Sequence, residues 1–183
     1  SLRQAVLDAN NAVGDHTIVF QAGLGGILLT SGGFTITDNL TINGPGAGLT
    51  ISGNNAQRNF IVDYDTTATL SALKLQNGGI ENRGTLTFNG SIIQSSTWAG
   101  SDGGGAIYNV SSATLTVNSC TLTGNSIPNS YGGGIYNRGT LTINNSILSG
   151  NAAPNWSGGG IYNNDGALTI NNSTLSSNST SRS

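Results

Sequence analysis

The segment Gly132-Gly133-Gly134-Ile135-Tyr136-Asn137 recurs 26 positions later as GGGIYN at residues 158–163. Earlier copies are GGAIYN at residues 104–109 and, more loosely, GGIEN at residues 78–82. Self-similarity at a period of this size is typical of solenoid proteins, because a single repeat cannot bury its apolar face alone. The sequence therefore predicts coils that stack on one another along one axis.

Each copy leads into a second short block, TLTF at 85–88, TLTV at 114–117, TLTI at 140–143 and ALTI at 167–170. A third block follows and ends in Ile93, Leu122, Leu148 or Leu175. Apolar residues alternate with polar ones in these blocks, which indicates strands with one buried face. Asn, Gly and Ser interrupt them every few residues and leave no room for a helix. We predict an all-β, right-handed parallel β-helix with about 26–28 residues per coil.

The expected organisation is a single β-helix domain over residues 1–183. Residues 1–16 are predicted to form an N-terminal helical cap, 17–77 the first coils, and 78–183 four regular repeats. Ser1 and Gln4 have the spacing of a capping box. Leu2, Val6 and Ala9 would share an apolar face that covers the first coil.

Composition narrows the functional classes. Only 8% of the residues are charged and the net charge is -2, so the basic stripe that nucleic acid demands is missing. No apolar run is long enough for a membrane-spanning helix, and a single cysteine excludes a disulfide framework. The polar opening of the chain predicts no signal peptide within it. The abundance of Asn, Ser and Thr nevertheless favours an exported, extracellular protein.

Two inward or turn-forming columns follow from the alignment of the repeats. Asn125, Asn151 and Asn178 share one column at a strand exit, with Ser96 in the coil before them. We expect a hydrogen-bonded ladder there. Cys120 shares an inward column with serines, which predicts a small, buried and unreactive thiol. Those serines are Ser91, Ser146 and Ser173.

The order of the motifs is also familiar. SLRQAV at 1–6, TIVF at 17–20, LTINGPG at 40–46 and LTISGN at 49–54 precede the GGGIYN coils. This order resembles bacterial surface proteins that have a CSLREA-type N-terminal region followed by a right-handed β-helix, akin to polymorphic outer-membrane proteins and autotransporter passengers. The resemblance implies a cell-surface, adhesin-like role and supplies no catalytic residues. Those proteins have a strand just upstream of the SLR motif, whereas this sequence begins at the motif itself.

Catalysis on a β-helix requires several carboxylates that converge with a base or a metal ion in one groove. No acidic residue recurs at the same position of the next coil, and the basic residues do not cluster with the acidic ones. We therefore predict no enzyme and no cofactor, and keep a polysaccharide lyase or hydrolase as a remote alternative. Asp63 and Asp65 are weak candidates for a metal site, and a solvated edge is the simpler interpretation.

Outward columns are the remaining candidates for function. Thr85, Thr114 and Thr140 stack beside a second column of threonines. Such an array suggests either an ice-binding solenoid or an ordinary exposed strand face. The second column contains Thr87, Thr116, Thr142 and Thr169.

Six aromatic residues are candidates for an interface or for ligand binding. Tyr108, Tyr136 and Tyr162 form an outward column that either stabilises the ladder or contacts a protein or glycan. Trp98, Tyr131 and Trp156 lie in the loops before successive glycine motifs, and we expect them to project from the same edge.

The ends of the solenoid suggest self-association. No later coil in the sequence covers the inward residues Ile161, Leu168, Ile170 and Leu175, and their exposure would forgo part of a burial worth roughly 1.5–3 kcal/mol each. Contacts between this end and Leu2 and Val6 of another copy would build a head-to-tail homopolymer. We therefore predict an extracellular structural protein that stacks into filaments. The alternative is an adhesin or passenger fragment that binds glycans or host surfaces.

Overall fold

The computed structural model describes residues 1–21, 23–46 and 49–181. The chain winds into a β-solenoid with three parallel sheets along its sides, which confirms the predicted fold. Sheet 1 contains β1 (His16–Val19), β4 (Leu40–Asn43), β7 (Thr67–Ser71), β10 (Thr85–Asn89), β13 (Thr114–Asn118), β16 (Thr140–Asn144) and β20 (Ala167–Asn171). Sheet 2 contains β2 (Ile27–Leu28), β5 (Thr50–Ser52), β8 (Lys74–Gln76), β11 (Ile92–Gln94), β14 (Thr121–Thr123), β17 (Ile147–Ser149) and β21 (Thr174–Ser176).

Sheet 3 is built from the strands that carry the GGGIYN motif and its earlier equivalents. It contains β3 (Phe34–Ile36), β6 (Phe60–Val62), β9 (Ile80–Asn82), β12 (Ile107–Asn109), β15 (Ile135–Asn137) and β19 (Ile161–Asn163). A small fourth sheet pairs β18 (Ala152–Ala153) with β22 (Ser179–Thr180). Each strand pairs with the equivalent strand of the next coil, so like residues stack on like along the axis.

The core lies inside the three sheets, because successive side chains of a strand point to opposite faces. In β10, Leu86 and Phe88 are completely buried, whereas Thr85 and Thr87 face outward. The same alternation continues in β13 and β16. Each fully buried aliphatic or aromatic side chain contributes roughly 1.5–3 kcal/mol, so the inward columns account for the fold.

Polar ladders hold the turns between the sheets. As predicted, the Asn125 side chain accepts the N–H of Ser96, and Asn151 accepts the N–H of Asn125, both at 3.0 Å. The predicted inward position of Cys120 is confirmed: it is 2% exposed, and its backbone N–H donates to Ser146 Oγ. Burial raises the pKa of this thiol to about 11. The thiol therefore stays protonated and inert near neutral pH.

The predicted N-terminal helix is also confirmed, although it ends at Asn11 and the first strand already begins at His16. Helix α1 (Leu2–Asn11) begins at Ser1, whose hydroxyl accepts the N–H of Gln4 at 3.2 Å. Val6 and Ala9 are 2% and 7% exposed because they pack on the first coil, where α1 contacts β1 and β3. Arg3 fixes the helix by donating to the carbonyls at residues 32 and 33. Among the described residues, no helix has the length and apolarity needed to cross a membrane.

Candidate functional site

Sheet 1 presents a flat outer surface, which we call the threonine face. One outward column is threonine in every strand of the sheet, and this extends the four-residue column predicted from the repeats. The column consists of Thr17, Thr41, Thr69, Thr87, Thr116, Thr142 and Thr169. A ladder of asparagine side chains runs beside it, with Asn118 donating to Asn89 at 2.9 Å and Asn144 donating to Asn118 at 2.8 Å. The outward positions of these strands carry no charged side chain.

Sheet 3 presents a second surface, made of Tyr108, Tyr131, Tyr136, Trp156 and Tyr162, which we call the tyrosine face. Tyr108 stacks on Tyr136 with the ring centroids 5.3 Å apart. Tyr131 stacks on Tyr162 at 4.3 Å and meets the edge of Trp156 at 4.8 Å. All five side chains remain half-buried, so the rings form one contiguous and partly accessible aromatic surface.

The pairing register of the strands and the close packing around the rings determine where these rings lie. Residues 108, 136 and 162 pair directly across β12, β15 and β19, so their side chains are neighbours. Tyr136 meets Tyr162 edge to face, with the ring centroids 5.4 Å apart. Tyr131 and Trp156 come from the loops that precede β15 and β19. A Cβ on Gly103 would lie 1.9 Å from the ring of Tyr136, so only glycine can cover that ring. Burial raises the pKa of Tyr136, whose hydroxyl accepts a hydrogen bond from Asn164 at 3.1 Å.

Trp98 does not lie with Tyr131 and Trp156. The bridge between Thr97 and Ser126 aligns Trp98 with the fully buried Ile127, and this register turns its side chain inward. The indole ring lies over the guanidinium of Arg58, 4.5 Å from ring centroid to Cζ. Trp98 therefore supports the loop beneath the tyrosine face.

Arg58 links Trp98 to that loop. It is 4% exposed and donates to the carbonyls of Gly103 and Gly104 at 2.6 and 2.7 Å. Burial lowers its pKa to about 10, so the side chain is still charged at neutral pH. Because Gly103 packs on Tyr136, Arg58 holds in place the loop that seats one ring of the tyrosine face. The sequence gives no signal for this clamp, which joins residues 45 and 46 positions apart.

A pocket of about 460 Å³ adjoins the tyrosine face, and we call it the arginine pocket. Its lining includes Tyr108, so the pocket and the tyrosine face are continuous. The lining residues are Tyr64, Glu81, Arg83, Tyr108, Val110, Ser111 and Arg138. Sequence reasoning missed this site, although Asn-Arg-Gly recurs at residues 82–84 and 137–139 and places both arginines at equivalent turns.

The two arginines of the arginine pocket differ in their charged partners. Arg83 Nε donates to Glu81 at 2.7 Å, and Arg83 lies 3.6 Å from Asp63. The expectation that basic residues do not cluster with acidic ones is therefore wrong here. Arg138 is exposed and lies beside the Tyr108 hydroxyl, which raises the pKa of this arginine through a hydrogen bond. In the described part of the chain, no carboxylate lies within ion-pair distance of Arg138.

The weak metal candidates do not come together. Asp63 directly follows β6 and faces Arg83, while Asp65 lies in a turn with a φ of 56°. Across the residues that the structure describes, no group of three or more His, Cys, Asp or Glu side chains could hold a metal ion. Asp63 is therefore engaged by Arg83 at a partly exposed edge.

A larger hollow of about 540 Å³ lies between α1 and the first coil. Its walls are mostly apolar and include Leu2, Phe20 and Leu28. Arg3 also lines it, but its guanidinium is engaged by backbone carbonyls. This hollow offers few convergent polar groups, so it fits the packing of the cap better than a specific site.

The residues predicted to stack end to end fall into two groups. Leu168, Ile170 and Leu175 in the last described coil are 38%, 40% and 43% exposed. Ile161 is half-buried and packs against the core. At the other end, Val6 is buried against the chain's own core and Leu2 is partly buried there.

Comparisons with protein-family models, with curated proteins and with solved structures found no match to this chain. The resemblance to bacterial surface β-helices stays a prediction from the sequence.

Proposed function

We propose that this chain is a noncatalytic extracellular β-solenoid that binds glycans through its tyrosine face. The observation that supports the proposal most directly is the contiguity of five aromatic rings that contact one another yet stay half-buried. One side of a pyranose ring presents C–H groups, and these can pack on the parts of the aromatic rings that the stacked neighbours leave accessible. Tyrosine also supplies a hydroxyl that exchanges hydrogen bonds with a sugar.

The periodicity of the solenoid suits a polymeric ligand. Parallel strands are about 4.8 Å apart, so a tyrosine recurs at each coil along the axis from β12 to β19. A polysaccharide that runs along this axis would meet one ring after another. Several weak contacts of this kind add up to useful affinity without any deep cleft.

The alternative role for these rings is only to stabilise the stack of coils. The inward columns and the asparagine ladders already hold the coils together, as the fully buried Leu141 and Asn137 illustrate. Tyr131 and Trp156 lie outside the strands, so they contribute no rung to the sheet. Their convergence on the tyrosine column is explained better by a binding surface than by the needs of the ladder.

A glycan array probed with matched variants tests the proposal. Tyr131→Ala combined with Trp156→Ala removes two loop rings and leaves the strands intact, and we expect binding to fall about tenfold or more. Thr116→Ala combined with Thr142→Ala is the control on the threonine face and should bind like the unmodified protein. Failure to bind any glycan, or equal binding by both double variants, would contradict the proposal.

A further inference from the structure

We infer that the arginine pocket is a subsite for an acidic sugar, a pyranose that carries a carboxylate. The inference rests on the proposed function, because the pocket extends the tyrosine face through Tyr108. It adds a ligand class, since the tyrosine face alone does not distinguish charged from neutral sugars.

The volume and the lining of the pocket suit one sugar ring, because the lining includes both aromatic and polar side chains. Its volume of about 460 Å³ is within the range of small-molecule sites. Tyr64 is 61% exposed, and the guanidinium of Arg83 lies 5.8 Å from its ring centroid. Tyr108 forms another part of the lining, so a pyranose can pack on an aromatic ring there.

The two arginines of the pocket have different roles. Arg83 is occupied, because it donates to Glu81 at 2.7 Å and also faces Asp63. This pairing fixes Glu81, which is left as an acceptor for sugar hydroxyls. Arg138 has the Tyr108 hydroxyl beside it and, within the described residues, no carboxylate at ion-pair distance.

An acidic sugar would supply a carboxylate at ion-pair distance from Arg138. Asp165 lies near enough to raise the pKa of Arg138, but it forms no ion pair with it. The planar guanidinium presents parallel N–H donors that match both oxygens of a carboxylate. Because Tyr108 and Arg138 line the same pocket and the Tyr108 hydroxyl lies beside the arginine, a carboxylate on Arg138 brings the attached ring next to the tyrosine. Ser111 also lines the pocket and can exchange hydrogen bonds with sugar hydroxyls.

Isothermal titration with matched oligosaccharides tests the inference. The probes are hexamers of mannuronate, guluronate and galacturonate, each paired with its carboxyl-reduced neutral counterpart, and sodium acetate as a carboxylate without a ring. We expect at least one acidic hexamer to bind about fivefold more tightly than its neutral counterpart. The preference should shrink as the ionic strength rises, and acetate should bind far more weakly.

Arg138→Gln should abolish the preference for the acidic hexamer. Lys74→Gln is the matched control, because it removes the same charge from β8 in sheet 2. Circular dichroism checks that both variants fold.

The outcomes separate the inference from the proposed function. Equal binding of acidic and neutral hexamers, or a preference that survives Arg138→Gln, would overturn the acidic subsite and leave glycan binding in place. If no hexamer binds and the glycan array is also blank, the proposed function fails together with the inference. Binding of acetate as tight as that of the hexamer would overturn the role of the sugar ring.

Discussion

The threonine face and the tyrosine face lie on two sheets of one solenoid, and both are built from parallel strands in register. On sheet 1 the outward column stays threonine from Thr17 to Thr169. On sheet 3 the equivalent column changes from one coil to the next. Its residues are Thr35, Ile61, Glu81, Tyr108, Tyr136 and Tyr162.

This difference shows where a repeat protein gains specific chemistry. Identical short side chains suit an exposed strand face, and they present the same chemical group at every coil. A column that changes from acid to aromatic creates a boundary, and the arginine pocket lies at that boundary between Glu81 and Tyr108. We conclude that the departures from the repeat, rather than the repeat itself, are the best indicators of a site in this chain.

The largest expected effect distinguishes the buried side of sheet 1 from its exposed side, the threonine face. Phe88 is fully buried under this face, and Thr87 is its outward neighbour on β10. Phe88→Ala should lower the free energy of unfolding by about 3–5 kcal/mol, because it leaves a cavity in the core. Thr87→Ala should cost under about 1 kcal/mol. Urea denaturation measures both, and similar losses for the two variants would contradict the assignment of the faces.

The next effect concerns the loop that supports the tyrosine face. Arg58→Met leaves the carbonyls of Gly103 and Gly104 without their donors, and should cost about 3 kcal/mol in unfolding free energy. Hydrogen exchange at residues 103–105 should also accelerate. Arg3→Met removes a similar clamp from the half-buried cap and should cost about 1 kcal/mol. Equal losses of unfolding free energy in the two variants would show that the burial of Arg58 adds nothing to stability.

A smaller effect depends on pH and tests the inward column that contains Cys120, next to the threonine face. Burial raises the pKa of Cys120 from 9.0 to about 11, so the folded state favours the neutral thiol. Its contribution to stability is therefore complete below pH 9 and is lost as the pH rises to 11, an amount of about 2–3 kcal/mol. Cys120→Ser has no thiol to titrate and matches Ser91 and Ser146 of the same column.

Urea denaturation of both proteins between pH 8 and pH 11 measures this effect. As the pH rises, the unmodified protein should lose unfolding free energy relative to the Cys120→Ser variant. A difference that does not depend on pH would show that the thiol is not buried in the way the column requires.

The fold was predictable from the sequence because its cause is local and repeated. Alternation in TLTI and ILS, and the glycine before each Ile-Tyr-Asn, fix strand and turn in every coil. Capping by Ser1 was visible for the same reason. Cys120 could be placed inward since its column contains serine in the other coils.

The site was harder to predict because it depends on register between unlike coils. Tyr64, Glu81 and Arg138 come from separate coils, and residues before position 78 lack the GGGIYN motif that aligns the later ones. Trp98 shows the same limit. It precedes a glycine motif as Trp156 does, but its pairing register turns it onto Arg58.

Tryptophan fluorescence tests glycan binding by the tyrosine face most directly, since the chain has two tryptophans. Trp98→Phe leaves only Trp156, which contacts Tyr131 on the tyrosine face. Trp156→Phe leaves only Trp98, which lies over Arg58. When a glycan selected on the array is titrated in, we predict a saturable change in the Trp98→Phe protein and none in the Trp156→Phe protein. No change in the first protein, or equal changes in both, would contradict the account.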